Sequence, residues 1–204
     1  MKVLLINGSP NEKRCTHTAL AEVAGALEAE GVETEIAWIG REAVRGCLGC
    51  GGCAKRGDAR CIFDDDVVNG LIAKAEAADG LVVGTPVYYA GANGALLAVL
   101  DRMFYAASAR LRFKPAAAVA SARRAGTTPA IDQVNKCFQI SCMPVVSSNY
   151  WPMVHGKTAD DVAQDAEGLQ IMRVLGRNMA WLLKATAQVP APEVEPKVMT
   201  NFIR

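Results

Sequence analysis

The sequence has almost no net charge: 22 Lys and Arg face 21 Asp and Glu in 204 residues, a balance of +1. A chain without a field of one sign has no electrostatic reason to seek nucleic acid or an acidic membrane. It also lacks any apolar run near the roughly 18 residues a bilayer-crossing helix needs, and the charged, apolar and cleavage regions of a secretory signal. The expectations are no nucleic acid, no membrane and a cytoplasmic location. In that compartment thiols stay reduced, so the seven cysteines read as ligands, redox groups or core filler rather than a disulfide framework.

Several signatures are missing from the first turn, where the apolar run Lys2-Val3-Leu4-Leu5-Ile6 breaks at Asn7-Gly8-Ser9-Pro10 and a helix begins near Thr16. There is no Gly-x-Gly-x-x-Gly for a dinucleotide and no Gly-Lys-Ser/Thr for a triphosphate. The sixth residue after Cys15 is Ala21, not the Arg of a tyrosine phosphatase loop, and Gly8-Ser9 and Thr85 stand where a receiver domain needs acids. No Ser-His-Asp set or carboxylate pair emerges, and His17 and His155 lack ligand partners at helical spacing.

What remains is a regular alternation. Strand-length apolar runs at Lys2–Ile6, Thr34–Trp38, Gly80–Gly84, Ala116–Ala120 and Pro144–Val146 alternate with helical patterns at Ala19–Ala29, Val67–Ala78, Ala95–Ala106, Pro129–Ile140 and Ala166–Ala187. Strands apolar at every position imply a parallel sheet covered on both faces, the doubly wound α/β class. The proline-bearing stretch 188–204 reads as an extended tail, and 39–63 is too long for an ordinary connection.

In such a sheet, ligands sit at the carboxyl ends of the strands. Ser9, Asn11, Thr16 and Thr18 beside a helix N-terminus suit one dianionic phosphate, or serve only as caps and turns. Pro86, Val87, Tyr88, Tyr89 and Asn93 form a rigid aromatic approach that a flat ring needs, and Ser121 to Thr128 supplies donors, Arg123 and Arg124 among them. Cys15, at the helix start, is expected to have a lowered pKa; Cys137 and Cys142 read as core or near-core. The run Asp64-Asp65-Asp66 reads as a cap for the helix at Val67, with a metal site as the alternative.

With these loops placed, the chain resembles the flavodoxin-like NAD(P)H-dependent FMN reductases, in the branch that includes the iron–sulfur flavoproteins. The resemblance rests on Gly8-Ser9-Pro10 with Thr16 and Thr18, Gly84-Thr85-Pro86-Val87-Tyr88-Tyr89, Asn93-Gly94 with Leu100-Asp101-Arg102, and Ser121 to Thr128, and it runs to about Ala187. It implies a five-stranded parallel sheet of order 2-1-3-4-5 over residues 1–187, with helices on both faces and FMN at its carboxyl edge. Ser9, Asn11, Thr16 and Thr18 would hold the phosphate; Pro86, Val87, Tyr88, Tyr89 and Asn93 would flank the ring; Ser121, Arg124, Gly126 and Thr127 would close the far edge. The chain departs from many relatives in having Asn11 where they carry Arg.

Cys47-x2-Cys50-x2-Cys53-x7-Cys61, threaded with Gly49, Gly51 and Gly52, resembles the ligand motif for a [4Fe-4S] cluster; zinc and free thiols are the alternatives. The expected activity is passage of electrons from NAD(P)H through FMN to a quinone, flavin, nitro or azo compound by a ping-pong route, with no side-chain catalyst. The rivals are a cluster-bearing electron-transfer protein with a protein partner, and a flavodoxin-like module without turnover. The resemblance also implies a homodimer or homotetramer, with Trp151 or the tail as candidate walls of a neighbour's pocket.

Overall fold

The computed structural model describes residues 1–200. In chain order the elements are β1 (Lys2–Asn7), α1 (Cys15–Ala29), β2 (Glu33–Trp38), α2 (Gly52–Arg56), α3 (Val68–Ala77), β3 (Gly80–Tyr88), β4 (Gly91–Ala92), α4 (Gly94–Leu111), β5 (Ala116–Ala122), α5 (Thr127–Ile140), β6 (Met153–His155), α6 (Ala159–Gln164) and α7 (Ala166–Thr186). The strands stand in the order β2-β1-β3-β5-β6, with β4 pairing only β3. With β4 set aside, this is the flavodoxin-like 2-1-3-4-5 order, parallel at every step.

The central strand shows why both faces are covered. Val3, Leu4, Leu5 and Ile6 each expose 0% of their surface, and full burial of each is worth about 1.5–3 kcal/mol. Because successive side chains point to opposite faces, Leu4 and Ile6 join the core under α3, α4 and α5, while Val3 and Leu5 join the core under α1 and α7.

The fifth strand departs from expectation. Pro144-Val145-Val146 supplies only an isolated bridge from Val145 to Ala116, and the regular strand is β6, opposite Ala120 to Ala122. Pro144 and Pro152 have no N–H to offer a ladder, so each joins β5 through its carbonyl, Pro144 O accepting from Ala116 N at 2.9 Å and Pro152 O from Ala120 N at 2.9 Å. Between them Ser147 to Trp151 loop out. The shift of nine residues carries Gly156 and Lys157, rather than Ser147 and Ser148, to the carboxyl edge.

Three helices run longer than the apolar pattern suggests, α1 starting at Cys15, α4 reaching Leu111 and α5 starting at Thr127, whereas α3 and α7 stop slightly short of it. Short α6 opens on a capping box in which Thr158 and Asp161 satisfy each other's backbone. Beyond α7 there is no helix or strand through residue 200; the last four residues of the tail read at 188–204 lie outside the described residues. Among the described residues no helix is long and apolar enough to cross a membrane.

Candidate functional site

The loop between β1 and α1 is braced from below and from the side. Buried Asn7 accepts from Ser9 N at 3.1 Å through Oδ1 and donates to Glu12 O at 2.8 Å through Nδ2. Trp38 Nε1 donates to Ser9 O at 2.7 Å, and Arg41 Nε to Pro10 O at 2.9 Å. Neither Trp38 nor Arg41 was singled out from the sequence, because bracing of another loop's carbonyls leaves no local signal. α1 then begins with no side-chain cap on its first-turn amides, which leaves the positive end of the helix dipole directed at the cleft. Thr16 and Ser121, both nearly fully buried, share a hydroxyl hydrogen bond of 2.8 Å that ties this turn to the end of β5.

Ser9, Asn11, Thr16, Pro86, Val87, Tyr88 and Ser121 meet on one open cleft of about 230 Å³, joined by Arg14, Cys15, Ala122, Arg123, Gly156 and Lys157. No carboxylate lines it. Among the described residues Arg14, Arg123 and Lys157 take part in no ion pair. Three cations outside any ion pair, the hydroxyls of Ser9, Thr16 and Ser121 and a helix N-terminus around one cleft are the groups a dianion would require. Lys157 was missed from sequence because strand five was placed at Pro144–Val146; the Thr-x-x-Asp box after it was the available signal.

Other predicted residues surround the cleft without lining it. Thr18 Oγ1 donates to Arg14 O at 3.3 Å, and Asn93 caps α4, its Oδ1 accepting from Ala95 N at 2.9 Å and Leu96 N at 3.1 Å. Thr127 is buried with its hydroxyl on Met153 Sδ at 3.1 Å, and Arg124 sits on the exposed turn beside the cleft. Tyr89 and Ala90 form the turn of a β3–β4 hairpin in which Val87 faces Ala92 and Tyr88 faces Gly91. Both turn residues take positive φ, 49° and 58°, as two-residue hairpins of this hand require, at a cost of about 1–3 kcal/mol for each non-glycine residue. Gly126, at φ 96°, packs under this hairpin so closely that a Cβ there would lie 2.8 Å from Ala90 Cα.

Two cysteine expectations are corrected. Burial pushes the Cys15 thiol up rather than down, outweighing the helix start, and its Sγ donates to Gly156 O at 3.6 Å. Cys142 is exposed with φ 55°, not core; Cys137 is partly buried, and burial raises its thiol pKa.

The four remaining cysteines, Cys47, Cys50, Cys53 and Cys61, line one small cavity with Leu48, Ile62, Phe63, Arg102 and Tyr105. Asn69 of α3 clamps this loop: its Oδ1 accepts from Cys61 N at 2.9 Å, and its Nδ2 donates to Cys61 O at 2.9 Å and Asp64 Oδ1 at 2.9 Å. Arg102 of α4, 2% exposed, donates through Nη2 to Phe63 O at 2.9 Å and through Nη1 to Arg45 O at 3.3 Å and to the Asp66 carboxylate. Asp66 Oδ1 accepts from Val68 N at 3.0 Å, so this acid both turns the chain into α3 and neutralises Arg102. Gly49 N donates to Cys47 Sγ at 3.5 Å, and Arg102 Nε to Cys61 Sγ at 3.3 Å. Among the described residues no three His, Cys, Asp or Glu side chains converge to hold a single metal ion.

The family model for NADPH-dependent FMN reductase matches residues 1–158. An iron–sulfur flavoprotein of Methanocaldococcus jannaschii is 33% identical over 193 residues, covering 90% of this chain and 98% of its own length. One from Methanosarcina thermophila is 27% identical over 188 residues, covering 90% and 96%. Among solved structures, RosB with bound 8-demethyl-8-formylriboflavin-5'-phosphate superposes with a TM-score of 0.72 at 15% identity, covering 100% of this chain and 92% of that one.

Proposed function

The chain belongs to the NADPH-dependent FMN reductase family, in its iron–sulfur flavoprotein branch, and from that premise we propose that it is an oxidoreductase carrying electrons from NAD(P)H through FMN to a small acceptor. The observation that carries this reading is the cleft with three cations, no lining carboxylate and an uncapped helix start. When bound, FMN supplies the electron and hydride chemistry. Ser9, Asn11, Thr16 and the first amides of α1 hold its phosphate, with Arg14, Arg123 and Lys157 balancing the dianion. Pro86, Val87 and Tyr88 give its ring a wall, and the Tyr89–Ala90 turn keeps that wall in place. The Thr16–Ser121 bond keeps phosphate wall and ring wall in register, so cofactor orientation is set before any acceptor arrives. Quinones, free flavin, nitro and azo compounds are the acceptor class, taken in turn with the nicotinamide on one exposed face.

A second reading is favoured by the cysteine loop: a [4Fe-4S] cluster on Cys47, Cys50, Cys53 and Cys61, and electron exchange with a protein partner. The residues fit such a group, because four thiols share one cavity, Gly49 and Gly51 take positive φ, and two N–H groups already point at sulfur. Zinc fits less well, since its thiolates stand only about 3.8 Å apart in a tetrahedron and these four do not converge on one ion. A homodimer or homotetramer is proposed as well, with exposed Tyr150 and Trp151 as the contact. The test is the purified protein assayed for NADH and NADPH oxidation with a quinone and with free FMN, beside its iron and acid-labile sulfide content. Turnover supports the reductase; a full iron and sulfide complement without turnover supports the electron carrier; a yellow protein with neither leaves the non-catalytic module.

A further inference from the structure

Arg102 is the largest fully buried side chain among the described residues. It stands among Leu96, Val99, Leu100, Met103 and Phe104, all buried on the same helix. Desolvating a guanidinium costs several kcal/mol unless its N–H groups and its charge are both satisfied. Here the N–H groups are spent on one target: Nε points at Cys61 Sγ, Nη1 and Nη2 at the Arg45 and Phe63 carbonyls, and Asp66 supplies the counter-charge. Every acceptor belongs to the segment 45–66 that carries the four cysteines.

A clamp for a loop needs only the carbonyl bonds and Asp66, the work Asn69 does from α3 on Cys61 and Asp64. The bond to sulfur is extra. A neutral thiol is a weak acceptor, whereas a ligating thiolate is a strong one, and a charge-assisted N–H to it withdraws electron density from the centre it binds. The rigid planar fork of arginine allows one group to brace two carbonyls while keeping Nε on the sulfur, which a lysine ammonium cannot do.

We propose that Arg102 is a positioning and tuning residue for a cluster at the cysteine loop, fixing Cys61 as a ligand and raising the reduction potential of the centre, with Asp66 tempering that effect. This rests on the cluster reading above. It goes further by assigning the control of the potential to an Arg–Asp pair held by α4 and by the turn into α3, outside the cysteine motif itself.

The experiment is a spectroelectrochemical titration of the reconstituted full chain, with iron and sulfide content measured on the same samples, for the wild type, Arg102→Gln and Asp66→Asn. Removing the cation shifts the midpoint to more negative potential. Removing the carboxylate leaves Arg102 unopposed and shifts it to more positive potential. Mere loosening of the loop admits water in both variants and moves both the same way, so shifts of the same sign, or none, at full iron content overturn the proposal. Where Arg102→Gln fails to retain iron, Asp66→Asn decides alone: a positive shift supports the proposal, and a negative or absent one overturns it. Arg102→Lys, which keeps the charge but not the fork, is expected to lie between wild type and Arg102→Gln. A wild-type protein that takes up no iron and sulfide under reconstitution refutes the cluster reading, and the inference falls with it; bound iron with an unresponsive potential refutes the inference alone.

Discussion

The phosphate loop and the cysteine loop leave neighbouring strands at the same edge of the sheet, since Asn7 at the end of β1 lies opposite Trp38 at the end of β2. The phosphate loop spans few residues and is held at nearly every one: Gly8 N donates to Gly84 O at 2.9 Å, Ser9 N to Asn7 Oδ1, Trp38 Nε1 to Ser9 O and Arg41 Nε to Pro10 O. The cysteine loop is several times longer and, apart from short α2, is held at scattered points by Asn69, Arg102 and the Arg60–Glu76 ion pair. In the function proposed, the first site is built before its ligand arrives, its strained hairpin and glycine contact already in place. The second has its donors gathered around a cavity without converging, the condition of a centre whose final shape depends on what it binds.

The largest effect is expected from the cations. Replacing Arg14, Arg123 and Lys157 together by Ala removes about 1 kcal/mol for each exposed charge-assisted contact. FMN affinity then falls by about 100-fold, while riboflavin affinity and iron content stay unchanged; calorimetry with both flavins reads the difference. Next comes Asn69→Ala, which strands Cys61 N and O and costs about 1–3 kcal/mol within the loop. Amide exchange across residues 58–66 should accelerate while the phosphate loop keeps its protection. Acceleration in both loops would erase the contrast drawn between them.

The smallest effect concerns pH. The Lys157 and Thr158 amides donate to Asp161 at 2.9 Å each, holding its carboxyl below the ordinary carboxylate range. A depressed folded-state pKa adds stability above the unfolded value, about 3.9 for Asp, and that stability is lost as pH falls through the folded value. Protection of the Lys157 and Thr158 amides, measured against their intrinsic exchange rates, should therefore fall only in acid, below about pH 4. In Asp161→Asn it should be low at neutral pH as well.

The sheet was legible because its signal is redundant: Val3 to Ile6, Leu81 to Val83 and Ala116 to Ala120 are apolar at every position, which leaves two covered faces as the only economical arrangement. Strand five escaped because Pro144-Val145-Val146 has strand composition, yet proline at both ends of the following excursion moves the pairing to Met153–His155. The cleft was legible where chemistry sits in local sequence, as at Ser9, Thr16 and Tyr88. It was not legible where partners come from afar: nothing near Trp38 or Arg41 announces that they brace the loop between β1 and α1. Asn93 and Thr127 were of the right type but are occupied by capping and by Met153. Arg102 carried one clue, a lone cation in an apolar helical stripe, and its meaning appeared only once Cys61 and Asp66 stood beside it.

The central claim is that the cleft between Ser9, Tyr88 and Lys157 is a preformed seat for a flavin phosphate. Calorimetric titration of flavin-free protein with FMN and with riboflavin, each at low and high salt, tests it most directly. The account predicts one FMN site per chain, at least about tenfold tighter than riboflavin at low salt, with the gap narrowing as salt screens Arg14, Arg123 and Lys157. Equal affinity for the two flavins, or no FMN binding, would contradict it.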